Sequence, residues 1–348
     1  MVLRGLMGAR PKNLIGVKKV VRLTFWLGMA SFFLSIPQPL WGTEKFTFLR
    51  EGNVWIVNID GTDSKQLTDS GKDRNPVVSP DGTLVAFTRG SVLKIKTGDG
   101  TEGEKIRYGQ VYLVPAQGGA ARLFQVKGMQ MSVEPSFSPD GKSLLLVGLA
   151  NPQVKEEEHA GKKWYQTFAD MSVVIAQVAT GNSRKVVSKP NAFLGFSFCY
   201  SRPSFSPDGK NIVYQEIGSD VSGGFVVTDL QGKVLFRFPS DEHEWRSKAY
   251  WTPSFSPVGK KILCYSPQPD NGPIYLVELA TGIPEKITED GADPRFVDQG
   301  RAIVFARWQG RWSDIPPGGQ GPGPKCDIFR LELKPGAVPQ KILSQAGF

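Results

Sequence analysis

Between residues 46 and 343, apolar and polar positions alternate in short runs, broken by turns rich in Gly and Pro. Period-two alternation over four to eight residues predicts half-buried β-strands. One pattern recurs: PVVSPDGTLVAF (76–87), PSFSPDGKSLLL (135–146), PSFSPDGKNIVY (203–214) and PSFSPVGKKILC (253–264), with a decayed copy, PRFVDQGRAIVF, at 294–305. In Ser-Pro-Asp-Gly, Pro presets the second turn position and Gly accepts a left-handed conformation at the last. Each copy is therefore a hairpin of two strands, A and B. Asp81, Gly82, Asp140, Gly141, Asp208, Gly209, Gly259 and Gly300 are structural turn residues on this reading.

A third strand, C, follows six times: 53–61, 110–118, 172–181, 224–232, 273–282 and 327–336. Short D strands come next, as at 65–68, 184–187, 285–288 and 340–343. Four antiparallel strands repeated radially predict an all-β propeller. Six C strands against five A strands predict six four-stranded blades, the first starting at strand B (Phe46–Leu49) without its own A strand. Only five residues follow Leu343. The ring then closes either through a three-stranded blade or without strand exchange.

The repeat P-S-F-S-P-D-G-K, followed by I-x-Y or L-x-A-F, then I-Y-L-V-x-L, then L-T, resembles that of TolB-type propellers over about residues 46–343. The family's additional α/β domain has no counterpart between Gly42 and Phe46, so the resemblance covers the propeller alone and implies no Tol–Pal role. Some related propellers are sugar-acting enzymes that need His and a divalent metal. Others are joined to prolyl-oligopeptidase-type hydrolase domains, which this sequence lacks.

In an up-and-down blade, A–B and C–D turns share one end and B–C and D–A connections share the other. The first kind is short here. The long connections, 90–109, 148–171, 188–202, 236–252 and 306–326, are all of the second kind. Long segments of this sort carry function. They hold Trp164, Tyr165, Trp245, Arg246, Tyr250, Trp251, Arg307, Trp308, Arg311 and Trp312, residue types that dominate binding hot spots. The expectation is a non-catalytic scaffold for a protein or peptide in the cell envelope. A glycan binder, or a polysaccharide lyase or hydrolase in the channel mouth, is the alternative. The Pro/Gly-rich stretch 315–325 reads as a loop without a site.

Charge then changes the picture. The chain carries 42 Lys+Arg against 33 Asp+Glu, a net +9. Six of those cations lie in residues 1–42, which hold no acid, so residues 43–348 carry only +3. No basic stripe remains to suggest nucleic-acid binding. The same 42 residues contain a 14-residue apolar run, 23–36, ending at Pro37. A basic segment, a short apolar run and small Gly42 predict an export signal, or, if retained, a membrane anchor over 23–36. The mature chain, 43–348, is then periplasmic or extracellular, and only an uncleaved leader touches the membrane.

Candidate chemistry is sparse. Asp73, Glu134 and Asp293 each precede strand A, which lines the channel, so these acids form a candidate mouth for a cation or a basic partner group. No cofactor or metal is expected beyond such a divalent cation. His159 and His243 lie in charged loops. Gly195–Cys199 misses a nucleophile elbow at its last position, and no P-loop, G-x-G-x-x-G, C-x-x-C or H-E-x-x-H occurs. Cys264 reads as a core thiol, while Cys199 and Cys326 are left open to pairing after export.

Overall fold

A computed structural model describes residues 45–344, apart from 59–60, 97–101, 160–161, 195–199, 218–222, 242–243, 245–248, 268–270 and 310–324. The leader and the Pro/Gly-rich stretch therefore lie outside the described residues, except Lys325. Among the described residues, no helix is long and apolar enough to cross a membrane.

The described residues form five antiparallel sheets. The first is three-stranded: β1 (Lys45–Arg50), β2 (Asn53–Asn58) and β3 (Lys65–Gln66). The second contains β4 (Asp73–Val78), β5 (Leu84–Lys96), β6 (Glu102–Pro115) and β7 (Arg122–Leu123). The third contains β8 (Met131–Phe137), β9 (Ser143–His159), β10 (Lys162–Gln177) and β11 (Ser183–Phe193). The fourth contains β12 (Tyr200–Phe205), β13 (Asn211–Ile217), β14 (Gly223–Asp229) and β15 (Val234–Phe238). The fifth has seven strands: β16 (Trp251–Phe255), β17 (Lys261–Tyr265), β18 (Gly272–Glu278), β19 (Pro284–Val297), β20 (Ala302–Gln309), β21 (Lys325–Glu332) and β22 (Gln340–Ser344).

The expected six sheets thus appear as five hydrogen-bonded ones. The reason is β19. Its first half pairs with β18 (Leu276↔Glu285, Ile274↔Thr288), and its second half pairs with β20 (Ala292↔Ala306, Phe296↔Ile303). A D strand runs into the next A strand with no loop between them.

Apolar clusters join the sheets in succession. Leu49 and Ile56 meet Val78 and Phe87. Val77 and Leu113 meet Phe137 and Leu144. Leu145 and Met171 meet Phe205 and Val226. Val213 and Phe225 meet Phe255 and Val277. Within the fifth sheet, Leu263 and Ile274 meet Ile303 and Phe305, so its two halves pack face to face. Val304 and Ile328 then meet Phe46 and Phe48, returning the last strands to the first. The ring closes by side-chain packing, with no strand exchanged among the described residues.

The turns follow the same succession. Ser79 Oγ donates to Asp81 Oδ1 at 2.6 Å and accepts the Leu84 N–H at 2.9 Å. Ser138–Asp140 and Ser206–Asp208 repeat the 2.6 Å bond. Gly82, Gly141, Gly209 and Gly259 all have φ near +70°, which glycine adopts without steric cost. A Cβ on Gly141, Gly209 or Gly259 would lie 3.4–3.7 Å from Pro80, Pro139 or Pro207 of the preceding turn. The result is a propeller arrangement of small antiparallel sheets.

Candidate functional site

Strand A carries the same irregularity each time. Register shifts fall between Arg74 and Val77, Val133 and Ser136, Ser201 and Ser204, Trp251 and Ser254, and Ala292 and Arg295. Each spans a proline, which cannot donate a ladder hydrogen bond and so favours a bulge. The residue before each proline has positive φ: Asn75 (51°), Glu134 (56°), Arg202 (53°), Thr252 (54°) and Asp293 (50°). This conformation is costly for non-glycine residues.

The bulge removes a backbone N–H from the ladder, and the preceding repeat accepts it. Glu134 N–H donates to Thr88 Oγ1 at 2.9 Å, Arg202 N–H to Glu134 Oε2 at 2.6 Å, and Thr252 N–H to Gln215 Oε1 at 3.4 Å. Thr88 and Gln215 occupy the same register position on their B strands, each one residue before the end of strand pairing with A.

Charges converge on this ring. Arg202 Nε lies 3.6 Å from Glu134 Oε1, and its Nη2 lies 3.8 Å from Asp293 Oδ1. Ser201 Oγ donates to both Glu134 oxygens, at 2.9 and 3.1 Å. Burial pushes the Asp293 carboxyl above its ordinary range, against the pull of Arg202 and Arg295. Burial lowers the Arg295 guanidinium to about 10. Glu134 and Asp293 are thus linked through one guanidinium. Asp73 does not join them. It sits two residues before the ring position, which belongs to Asn75, and its buried carboxylate takes a two-pronged bond from Arg89 at 2.7 and 3.0 Å. The Arg89 guanidinium stacks over Phe87 and Tyr112, 5.3 and 4.8 Å from their centroids. Among the described residues no three His, Cys, Asp or Glu side chains come close enough to hold a metal ion.

The sequence reading passed over Asn75, Arg202, Thr252, Arg295 and Ser201. For three of them the signal was present: Asn75, Arg202 and Thr252 each immediately precede the repeated proline.

At the other end from the A–B turns, two of the expected loops are hairpin arms. β5 and β6 stay paired from Arg89↔Gln110 to Lys96↔Glu102, beyond the last β4 pair, Asp73↔Arg89. β9 and β10 stay paired to Lys162↔His159, beyond the last β8 pair, Met131↔Leu149. β11 follows β10 up to Phe168↔Phe193, so most of the expected 188–202 loop is strand. The segment ANPQVKEEEH, 150–159, has no apolar alternation to reveal a strand. A two-stranded ribbon needs only backbone pairing.

The hot-spot candidates divide. Trp164 and Tyr165 lie on the second arm, opposite Glu157 and Glu156. Tyr250, in a connection, and Trp308, on β20, are buried at 5% and 8% exposure, which counts against the expected place of both on a binding face. Tyr250 packs 4.8 Å from Phe238 and donates its hydroxyl to Glu244 at 3.2 Å. Trp308 belongs to the cluster inside the fifth sheet. Trp251 is half-buried, edge-on to Tyr265 at 6.3 Å. Arg307 pairs with Asp290 at 2.8 Å and stacks 4.4 Å over Phe329. Trp245, Arg246, His243, Arg311, Trp312 and Cys199 lie outside the described residues. Cys326 is a buried free thiol on β21, and Cys264 one on β17.

No family model and no curated protein matches the chain. Solved structures do. TolB from Acinetobacter baumannii matches with a TM-score of 0.53 and 19% identity, over 80% of this chain. The fold is that of a TolB-like β-propeller. This TolB-like chain spans 57% of that TolB chain's length. An oligogalacturonate lyase from Vibrio parahaemolyticus matches with a TM-score of 0.52 and 11% identity, over 91% of this chain and 78% of its own. An oligogalacturonate lyase in complex with manganese matches with a TM-score of 0.50 and 12% identity, over 87% and 74%.

Proposed function

We propose that this TolB-like chain is an exported six-bladed propeller scaffold whose arm-bearing end binds a protein or peptide of the cell envelope. The blade count rests on β19 and the clusters. β19 serves one unit as strand D and the next as strand A, and six apolar clusters separate six units around the ring. Export rests on the basic leader with its short apolar run.

The observation that carries the binding reading is the pair of arms. Ribbon that extends past its sheet adds little to the core, yet it displays backbone and side chains on one end of a rigid ring. On the second arm Asn151, Gln153, Lys155, Glu156 and Glu158 are exposed. Of the Trp, Tyr and Arg candidates, Trp164 and Tyr165 belong to the arm, while Trp245, Arg246, Arg311 and Trp312, outside the described residues, are assigned to the other connections by sequence alone.

The test replaces residues 152–167 by an Asn-Gly turn, which favours hairpins. Capture from envelope extract is compared between the intact chain and the trimmed one. One enriched protein, lost on trimming at an unchanged melting temperature, supports the scaffold. Equal capture by both forms overturns it. Trp251 is a poor substitute target, because its contact with Tyr265 makes it part of the fold.

The polysaccharide-enzyme alternative draws on the likeness to the two oligogalacturonate lyases. It needs a divalent cation at Glu134 and Asp293, where Arg202 now sits. Metal analysis of the purified chain, with an elimination assay on acidic oligosaccharides, separates it from the scaffold. Retention on cell-wall sugars without turnover would point to a glycan binder.

A further inference from the structure

We propose that the cavity between the third and fourth units, at the A–B turn end, binds a small aromatic amine, its ring against Arg184 and its ammonium group at Asp140 and Asp208. The site lies at the end opposite the arms and does not depend on the scaffold reading.

A comparison of two unit junctions carries the argument. Both use the same positions: a C-strand residue with its D-strand partner from one unit, then the Phe of PSFSP and a C–D turn leucine from the next. Between the fourth and fifth units these are Val227, its partner Phe236, Phe255 and Leu279, all in one apolar cluster. Phe236 reaches the next unit's C–D turn, where a Cβ on Gly282 would lie 3.8 Å from its ring. Between the third and fourth units the positions are held by Ile175, its partner Arg184, Phe205 and Leu230. A guanidinium stands in place of the ring, and a cavity of about 580 Å³ is lined by all four residues. Small-molecule sites span about 300–1,000 Å³.

Other junctions are filled from within the chain. Phe124 and Val126 join the cluster between the second and third units, and Ile287 packs against the one inside the fifth sheet. At the third junction the apolar walls, Ile175 and Leu230, are only half-buried. Arg184 is exposed and donates Nη1–H to the Leu230 carbonyl at 2.6 Å, which tethers it to the cavity wall. A tethered guanidinium offers a flat cationic face on which an aromatic ring stacks.

Two carboxylates set the polar end of the ligand. Asp140 and Asp208 line the same cavity. Each uses Oδ1 for its own turn. Asp140 Oδ1 accepts the Ser138 hydroxyl at 2.6 Å and the Lys142 N–H at 3.0 Å, and Asp208 Oδ1 accepts the Ser206 hydroxyl at 2.6 Å and the Lys210 N–H at 3.1 Å. Oδ2 of each takes no hydrogen bond from another of the described residues. The serine bonds hold both carboxyls below their ordinary range, so both are anions at neutral pH. Lys142 and Lys210 add to that depression from exposed positions outside the cavity lining. Within the lining, two anions face one guanidinium already held by a carbonyl, which favours a cationic head group.

The probe is phenethylamine, with phenylacetate as a similar ring carrying the opposite charge. Titration calorimetry of the full chain should give one saturable site for phenethylamine and at least tenfold weaker binding of phenylacetate. Asp208→Asn should weaken the amine at least tenfold in a folded chain, since Val258 in the fourth copy shows that the turn tolerates loss of its carboxylate. Arg184→Phe copies Phe236 into the cavity and should melt higher and lose the amine. Arg184→Ala leaves the cavity open and should retain weakened binding, so the complete loss in Arg184→Phe reports filling. The arm-trimmed chain should bind the amine as the parent does. No saturable binding, equal binding of phenylacetate, or unchanged amine binding by a folded Arg184→Phe variant overturns the proposal.

Discussion

The two ends of the ring obey different rules. At the A–B turn end, successive repeats carry one hydrogen-bond set: Ser79–Asp81, Ser138–Asp140 and Ser206–Asp208 all at 2.6 Å. At the opposite end the repeats diverge into two hairpin arms, a buried Trp308 and a ring whose five residues share a backbone conformation but range from amide and hydroxyl to carboxylate and guanidinium. Uniformity marks what every unit needs in order to fold and stack. Divergence marks where one unit was free to differ, and where binding can be built without disturbing the neighbours.

Trp308 tests how sharp that division is. It lies at the divergent end, yet it is buried in the cluster inside the fifth sheet, and Asn271 brackets its backbone with bonds of 2.9 and 3.0 Å. Trp308→Ala should cost about 3–5 kcal/mol, the range for a buried aromatic. Denaturant unfolding measures it. Partner capture per folded molecule should be unchanged, and a folded variant that loses its partner would return Trp308 to the binding face.

The turn end should respond less, and with acid. Ser206 Oγ donates to Asp208 and accepts the Asn211 N–H at 2.9 Å. Ser206→Ala should cost about 1 kcal/mol, one net hydrogen bond with some compensation from water. The serine hydroxyls hold Asp81, Asp140 and Asp208 below the usual carboxylate range. A depressed pKa contributes stability above the unfolded value of about 3.9 that is lost as pH falls through the folded value. The triple variant Asp81→Asn, Asp140→Asn, Asp208→Asn should therefore show a flatter melting temperature between neutral pH and about pH 3. An unchanged acid slope would mean that these turns do not sense protonation. Val258 already fills the aspartate position in the fourth copy, where Ser256 Oγ still accepts the Lys261 N–H at 3.0 Å.

The same division explains what could be read from residues alone. Proline, glycine and β-branched alternation act locally, so the hairpins and the TolB-like fold were legible in PSFSPDGK. β19 was harder. Its D and A signals at 285–288 and 294–297 are visible, but nothing in EDGADP shows that the chain crosses between units without leaving the strand. The arms were legible as long segments and not as strands, because backbone pairing leaves no side-chain period. Glu134 and Asp293 were visible as acids by type. Their partners were not, because Arg202 reaches Glu134 and Asp293 across 68 and 91 residues of sequence.

Asp293 gives the smallest effect and the finest distinction. It occupies a uniform position, the residue before the proline, where only Glu134 among the other four copies is also acidic. Its folded pKa is raised, so its contribution to stability is fully present below the unfolded value and lost as pH rises through the folded one. Asp293→Asn imitates the protonated form. It should melt slightly above the parent at pH 7, and the two should converge on acidification to about pH 3, below the unfolded carboxylate value. Arg202 keeps Glu134 in either case. A variant that melts lower at pH 7 would mean that attraction to Arg202 and Arg295 exceeds the cost of burial, and the ring would then be a clasp serving the scaffold. A variant that melts higher means that the chain carries a buried charge at a cost to its fold. That is the pattern expected where a charge is kept for a ligand and not for stability.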